Sequence, residues 1–382
     1  MPGPGDVLEL IRDRGQLTRG DVLDLTGLSR MTVSTRIDAL LDHHLIVERG
    51  AARVTAGRPS RGLAFNTSHA TVITATVDTT HTTVALTDLA GNISAEERVD
   101  VAVVDGPDRT LNAIIDSARR LRDRTAGIET AVAGVAISVP GPVDPDTGRP
   151  SQPPIMPGWD AYPISEHLHD GLGVPVLVAN DADAAALGEQ RRAHPRSRAL
   201  CFIKVSSGIG TGIVLGGQVY EGTDGGAGDI GHVKIAGHDD LLCQCGAHGC
   251  LAAVASGRAI AHALTDLGKP AASGSDVGLL LARGDQDAAR LTQAAGRVIG
   301  EVLATVVSLL NPSELVLGGV LASAPLLAGV RETLYPRSLP RATRHLTVSL
   351  STLGEHAAAV GLAALLVERE YSAAAVNAAL SR

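Results

Sequence analysis

The sequence predicts an α/β protein in two unequal parts: a small helical module with a basic hairpin over residues 1–68, then a duplicated α/β body. Three observations carry this. The first 66 residues alternate short amphipathic helices with glycine stops and end in an arginine-rich hairpin. From residue 70 onward, hairpin strands alternate with helices, and the theme recurs in the second half. The third observation is charge. The chain carries −8 overall, yet residues 1–66 hold nine Arg against eight acids, and residues 29–62 hold six Arg against three. A locally basic module on an acidic body implies a polyanionic partner.

In the N-terminal module, Val7, Leu8, Leu10 and Ile11 mark an amphipathic helix over 6–14 that stops at Gly15. Thr18-Arg19-Gly20-Asp21 opens a second helix as a capping box with Asp in the acidic position. Val22, Leu23 and Leu25 should face inward, and Gly27 ends it. Ser29 caps a third helix over 30–42, with Val33, Ile37, Leu40 and Leu41 at helical spacing. Two short helices around a glycine turn have helix-turn-helix geometry. The outer face of the third helix carries Ser29, Arg30, Thr32, Ser34, Thr35 and Arg36, side chains that read base edges and grip phosphate. Strands at 45–48 and 62–65 flank Arg49, Arg53, Arg58 and Arg61, a wing whose Arg58 is the minor-groove candidate. The reading is a winged helix-turn-helix; the bland alternative is a helical packing domain with a solvated loop.

In the body, strands are expected at 71–77 and 81–89, then a helix at 110–125 and a strand at 132–139. A strand ending at Ala179 leads through Asn180 and Asp181 into an alanine-rich helix reaching Gln190. The second half repeats with strands at 199–205, 213–215 and 314–317. Cys201 reads as a buried strand residue.

With 382 residues the chain is long enough for two or three domains. Aromatics make up 2%, so the core must be Ala, Val, Leu and Ile. No run of twenty apolar residues occurs, and residues 1–15 carry charge where a signal peptide would be apolar. A cytoplasmic protein with no membrane partner is expected. Four cysteines are too few for a disulfide scaffold. Three of them, Cys243, Cys245 and Cys250, fall within eight residues and follow His232. Three sulfurs and a nitrogen make a closed four-coordinate site for one structural zinc per chain, with His238 and His248 as rival ligands.

The body resembles the ROK (repressor, open reading frame, kinase) family of bacterial sugar-responsive repressors and sugar kinases. The stretches that carry the likeness are Val139-Pro140-Gly141-Pro142-Val143-Asp144, Pro157-Gly158-Trp159, residues 180–189, and Gly208-Ile209-Gly210-Thr211-Gly212. Gly228-Asp229-Ile230-Gly231-His232, the cysteine group and Leu315-Val316-Leu317-Gly318-Gly319 continue it. With its winged helix the chain resembles the repressor branch. The resemblance implies an actin-like, hexokinase-like body with lobes at 69–190 and 191–382, a C-terminal helix near 355–370 returning to the first lobe, and a homodimer or homotetramer. It places Asn180, Asp181, Asp229 and His232 in a sugar pocket, Asp181 being the kinases' general base. Asn180 and Asp181 serve equally well as helix caps.

Departures from the kinase pattern matter as much. Thr80 replaces a glycine beside the ATP phosphates, Asp229 is one methylene shorter than the usual Glu, and Ala252 stands where a sugar-binding Glu is usual. The expected function is a transcriptional regulator, a repressor of sugar-related genes, that binds an inverted-repeat DNA operator and senses a sugar or sugar phosphate. Catalytic residues are not expected. A sugar kinase with an added DNA-binding module, or a ligand-blind DNA-binding protein, are the alternatives.

Overall fold

The computed structural model describes residues 3–51, 61–125 and 130–381. Its N-terminal module contains α1 (Pro4–Arg14), β1 (Leu17–Thr18), α2 (Arg19–Thr26), α3 (Arg30–Asp42), β2 (Ile46–Ala51) and β3 (Arg61–Phe65). The caps act as their residue types require. Thr18 Oγ1 accepts from Asp21 N at 3.1 Å while Asp21 Oδ2 accepts from Thr18 N at 2.8 Å. Gly27 ends α2 in the left-handed conformation, and Ser29 caps α3 through Thr32 N at 3.2 Å. β2 and β3 form an antiparallel hairpin, with β1 on the far side of β3. Leu25, expected inside, is 49% exposed. The inward stripe of this eight-residue helix runs through Val22, Leu23 and Thr26, and Leu25 falls beside it.

The first lobe contains β4 (Ala70–Val77), β5 (Thr82–Asp88), β6 (Ile93–Val99), α4 (Pro107–Arg124), β7 (Ala131–Val139), α5 (Ile164–Leu172), β8 (Val176–Asn180) and α6 (Asp181–Arg192). The second contains β9 (Ala199–Val205), β10 (Ile209–Leu215), β11 (Gln218–Val219), α7 (Leu251–Ala255), α8 (Gly257–Asp266), α9 (Gly274–Ala282) and α10 (Gln286–Leu310). It continues with β12 (Glu314–Gly318), α11 (Ala324–Arg337), α12 (Pro340–Thr343), β13 (Thr347–Leu350), α13 (Ala357–Glu370) and α14 (Ala373–Leu380). The two sheets have the same topology. Their orders are β6-β5-β4-β7-β8 and β11-β10-β9-β12-β13, each an antiparallel meander followed by two parallel strands. The duplication is therefore structural as well as thematic.

α6 and α13 cross between the sheets at backbone contact. A Cβ on Gly188 would lie 1.9 Å from Ala357 O, and one on Gly361 would lie 1.7 Å from Ala184 O. Only glycine permits this crossing. α13 packs on α6, β4 and β7, returning the chain to the first lobe. Beyond it, α14 packs on α1. Asn377 donates to Asp6 at 2.9 Å and accepts from Gly5 N at 2.7 Å, while Arg12 Nη1 donates to Val367 O and Tyr371 O. Phe65 meets Tyr371 edge-on with centroids 5.7 Å apart. The N-terminal module thus shares one continuous apolar core with the body, from Val7 and Ile37 through Leu362 and Leu366 to Val376. Among the described residues one helix, α10, is long and apolar enough to cross a membrane. Its Ile299, Leu303 and Val307 are fully buried in the second-lobe core.

Candidate functional site

α3 exposes a polar face. Arg30 and Thr35 are open to solvent, Thr32 and Ser34 are half-buried, and Met31 is 82% exposed. Ser29 is committed to its cap and to Thr32 Oγ1 at 2.8 Å. Ser34 and Arg19 both bind Asp38, at 3.2 and 3.0 Å. Arg36 sits at the edge of this face, half-buried, with Nη1 out of solvent and unpartnered. It lies near Asp6, whose carboxyl is held low first by Asn377 and further by the Arg36 charge. Arg53 and Arg58 lie outside the described residues.

The centre of the body is the meeting of two hairpin turns. The β4–β5 turn supplies Asp78 and Thr79, and the β9–β10 turn supplies Ser206 and Ser207. They touch across the cleft, Thr79 Oγ1 lying 2.9 Å from Ser207 Oγ. Beneath them Lys204 Nζ reaches Asp181 Oδ2 at 2.5 Å and Asp78 Oδ2 at 3.3 Å. One ammonium therefore joins the first lobe, the start of α6 and the second lobe. Burial drives the Asp78 pKa up, but Lys204 and the two Thr79 donors outweigh it and hold the carboxyl at about 2. Burial pulls the Lys204 pKa down, but Asp181 and Asp78 outweigh it and hold it above the ordinary value, so it stays charged. Sequence reading missed Lys204. Its signal was a lysine inside the apolar run 200–205, where a charge persists only if paired.

Asn180 caps α6, accepting from Ala182 N at 2.8 Å and Asp183 N at 3.2 Å, and its Nδ2 donates to Gly141 O. Both ends of its amide are engaged by backbone. Asp181, the first residue of α6, is bound to Lys204. Asp229 follows the Gly225–Gly228 turn, and burial raises its pKa against the pull of His232. Asp183, buried and with Oδ1 unpartnered, is raised well above the ordinary value by burial, then by Glu221 and Asp181.

His232, Cys243, Cys245 and Cys250 come together, each ligand atom within 4.8 Å of the others. Cys245 Sγ lies 3.8 Å from Cys250 Sγ, and His232 Nδ1 lies 3.8 Å from Cys243 Sγ. Two sulfurs at about 2.3 Å from one tetrahedral ion are about 3.8 Å apart, so the group has the dimensions of a metal site. His238 and His248 do not join it. Gln244, between two of the cysteines, forms part of the cleft wall opposite Pro154 and Ile155.

Comparison with known proteins follows the same two-part division. The ROK family domain matches residues 73–369. The xylose repressor of Bacillus spizizenii is 26% identical over 365 residues, covering 95% of this chain and 94% of that protein. A solved ROK family transcriptional regulator, described as a homolog of the E. coli MLC protein, has a TM-score of 0.82 at 28% identity and covers 99% of this chain and 98% of its own. A ROK family glucokinase from Streptomyces griseus, in complex with glucose and AMPPNP, has a TM-score of 0.67 at 27% identity. That match covers 77% of this chain and 98% of the kinase. Shared topology, shared motifs and a family match over well more than half its length lead to one conclusion: the chain belongs to the ROK family.

Proposed function

We propose that this protein is a DNA-binding transcriptional regulator, a repressor of sugar-related genes, whose body senses a sugar or sugar phosphate. The observation that carries this reading is the single core joining the winged module to the crossing helices α6 and α13. Asp181, the first residue of α6, lies in the cleft, and α13 runs from that crossing to the Arg12 and Tyr371 contacts of the module. A ligand that alters lobe closure therefore acts on the helices that hold the DNA-binding module. Such a ligand shifts DNA affinity only by its differential binding to the two forms, typically ~1–3 kcal/mol.

On this reading Arg30, Thr32, Ser34 and Thr35 face the major groove, with Met31 offering an apolar contact to a thymine methyl. Arg36 serves at the edge of the face and Arg58 in the minor groove. A homodimer or homotetramer would read an inverted repeat with half-sites spaced by helical turns. Zinc held by His232, Cys243, Cys245 and Cys250 would be structural, since four protein ligands leave no open position. Its role is to order Gln244 and, through His232, Asp229. The working compartment is the cytoplasm.

Kinase activity is lost on this reading. Phosphoryl transfer needs an acceptor hydroxyl and a held phosphate brought into line. Here Lys204 occupies the base Asp181, and Thr79 meets Ser207 where the two turns would have to part. A coupled assay across hexoses and amino sugars should release no ADP above background. Sugar-dependent turnover near ~1 per second, an ordinary enzyme rate, would restore the kinase reading.

The regulatory reading is tested by selecting operators from random duplexes and titrating sugars and sugar phosphates into the complex. Asp181→Ala should abolish the ligand response while operator affinity of the free protein stays within about twofold, because Lys204 keeps Asp78 as its partner. Loss of DNA binding in that variant, or indifference of the wild type to every sugar tried, would leave the body as a dimerisation scaffold.

A further inference from the structure

A lysine is costly where residue 204 sits. β9 turns Leu200, Phe202 and Lys204 to the face between the two sheets, and Leu200 and Phe202 belong there to the shared apolar core. Only 17% of the Lys204 side chain is exposed. The residue type is also unusual for this chain, which has three lysines against thirty arginines. Lys234 and Lys269 bind partners near the surface. A chain that almost always chooses the flat guanidinium fork has here a compact point charge on a flexible stem.

The surroundings explain the choice. Asp78 follows β4 in the first lobe, whereas Asp181 opens α6, which packs on β9 and β10. The 2.5 Å bond from Lys204 to Asp181 therefore lies within the second lobe's packing, and the 3.3 Å bond to Asp78 crosses the cleft. The other oxygen of Asp78 is also taken, accepting from Thr79 N at 2.5 Å and Thr79 Oγ1 at 3.0 Å. Two buried carboxylates that share one nitrogen repel each other, and Asp78 adds to the burial that raises Asp181. Facing carboxylates of this kind are what a hard divalent cation binds. On the far side of the three charges lies a cavity of about 290 Å³, lined by Thr76, Ser206 and Ala359 among others. A partly hydrated ion would have room there if the lysine were shorter.

We propose that Lys204 is a tethered cation: its ammonium stands between Asp78 and Asp181 where a divalent ion would otherwise sit, and it joins the two lobes in that ion's place. The trio then neutralises itself from within the chain, and the cleft takes its ligand without a metal ion. Lys204 thereby sets specificity, because a ligand that arrives as a divalent-metal complex finds both carboxylates already engaged. This role goes beyond the sensor reading. Its test uses neither sugar nor DNA, so the two can fail separately.

The experiment titrates Mn²⁺, followed by electron paramagnetic resonance, into the full-length zinc-loaded protein, Lys204→Met and the double variant Asp78→Asn/Lys204→Met. Lys204→Met should bind one Mn²⁺ per chain at least about tenfold tighter than the wild type, and the double variant should lose that gain. The Tm of Lys204→Met should fall in metal-free buffer and recover with Mn²⁺, while the wild-type Tm stays where it is. Hydrogen exchange at the β4–β5 and β9–β10 turns should quicken in Lys204→Met and slow again with the ion. Equal Mn²⁺ affinity in the wild type and Lys204→Met overturns the proposal. Retention of the ion by the double variant does so too, since the ion then sits elsewhere. Unchanged exchange at the turns in Lys204→Met would show that the ammonium does not join the lobes. Should Lys204→Met fail to fold, Lys204→Gln, which keeps a donor for one carboxylate, decides by the same comparison.

Discussion

Two irregular segments wall the cleft, and they are held in different ways. Residues 140–163 fold around Trp159, which is fully buried and donates Nε1–H to Val103 O at 2.8 Å, with Met156 packed beside it. Asp144 ties the turn at its start, accepting from Asp146 N and Thr147 N. Residues 220–250 have no such anchor. Most of their side chains are exposed, and their buried ones are few: Ile230, Cys243 and Cys250. The comparison teaches that a loop with one large apolar side chain can borrow the lobe's core. The second loop lacks one, and what it gathers instead is a group of one histidine and three cysteines that could hold a metal ion. In a chain with 2% aromatics the first solution is scarce, so the second carries unusual weight.

The sharpest way to break the comparison is to remove the metal. Purified protein should contain one zinc per chain, and Cys245→Ser or a strong chelator should disorder 233–250 while 140–163 stays protected from hydrogen exchange. Structural zinc contributes on the order of 10 kcal/mol in small domains, so this should be the largest effect. Metal-free protein with full stability in chelator would end the idea.

The reciprocal experiment is Trp159→Ala. Emptying that site should cost ~3–5 kcal/mol of stability, read as a lower Tm, without loss of zinc. If zinc leaves as well, the walls are one unit and the contrast between them is wrong.

A smaller effect separates burial from charge beside the second wall. The Asp183 carboxyl is raised by burial, then by Glu221 and Asp181. A raised carboxyl contributes its stability below the unfolded value near 3.8 and loses it as pH rises through the folded value. Asp183→Asn should therefore raise Tm at pH 7, with the gain vanishing as pH falls below 3.8. An unchanged or lower Tm at pH 7 would mean that a ligand or partner compensates the charge in the wild type.

Much of the N-terminal module and the metal group was legible because both are local. Caps such as Thr18 and Ser29 act within four residues, and the three thiols lie within eight. The body strands read less completely. β6 has Glu96, Glu97 and Arg98 in its middle and half-buried residues alternating with exposed ones, as an edge strand does. No apolar run announces it. β13 is the opposite edge of the second sheet and was missed for the same reason.

The sequence by itself determined the helix-turn-helix, the alternation of the body and the grouping of three thiols behind one histidine, since each depends on period, cap or spacing along a short run. Only the tertiary structure decided what meets across the cleft. Asp78 and Lys204 are 126 residues apart, and Gly5 and Asn377 are 372 apart. Nothing in the chain near Lys204 says that two carboxylates await it. Pairing over such distances is set when the two sheets close on α6 and α13, because burial leaves each charge only the partners that the packing brings within reach.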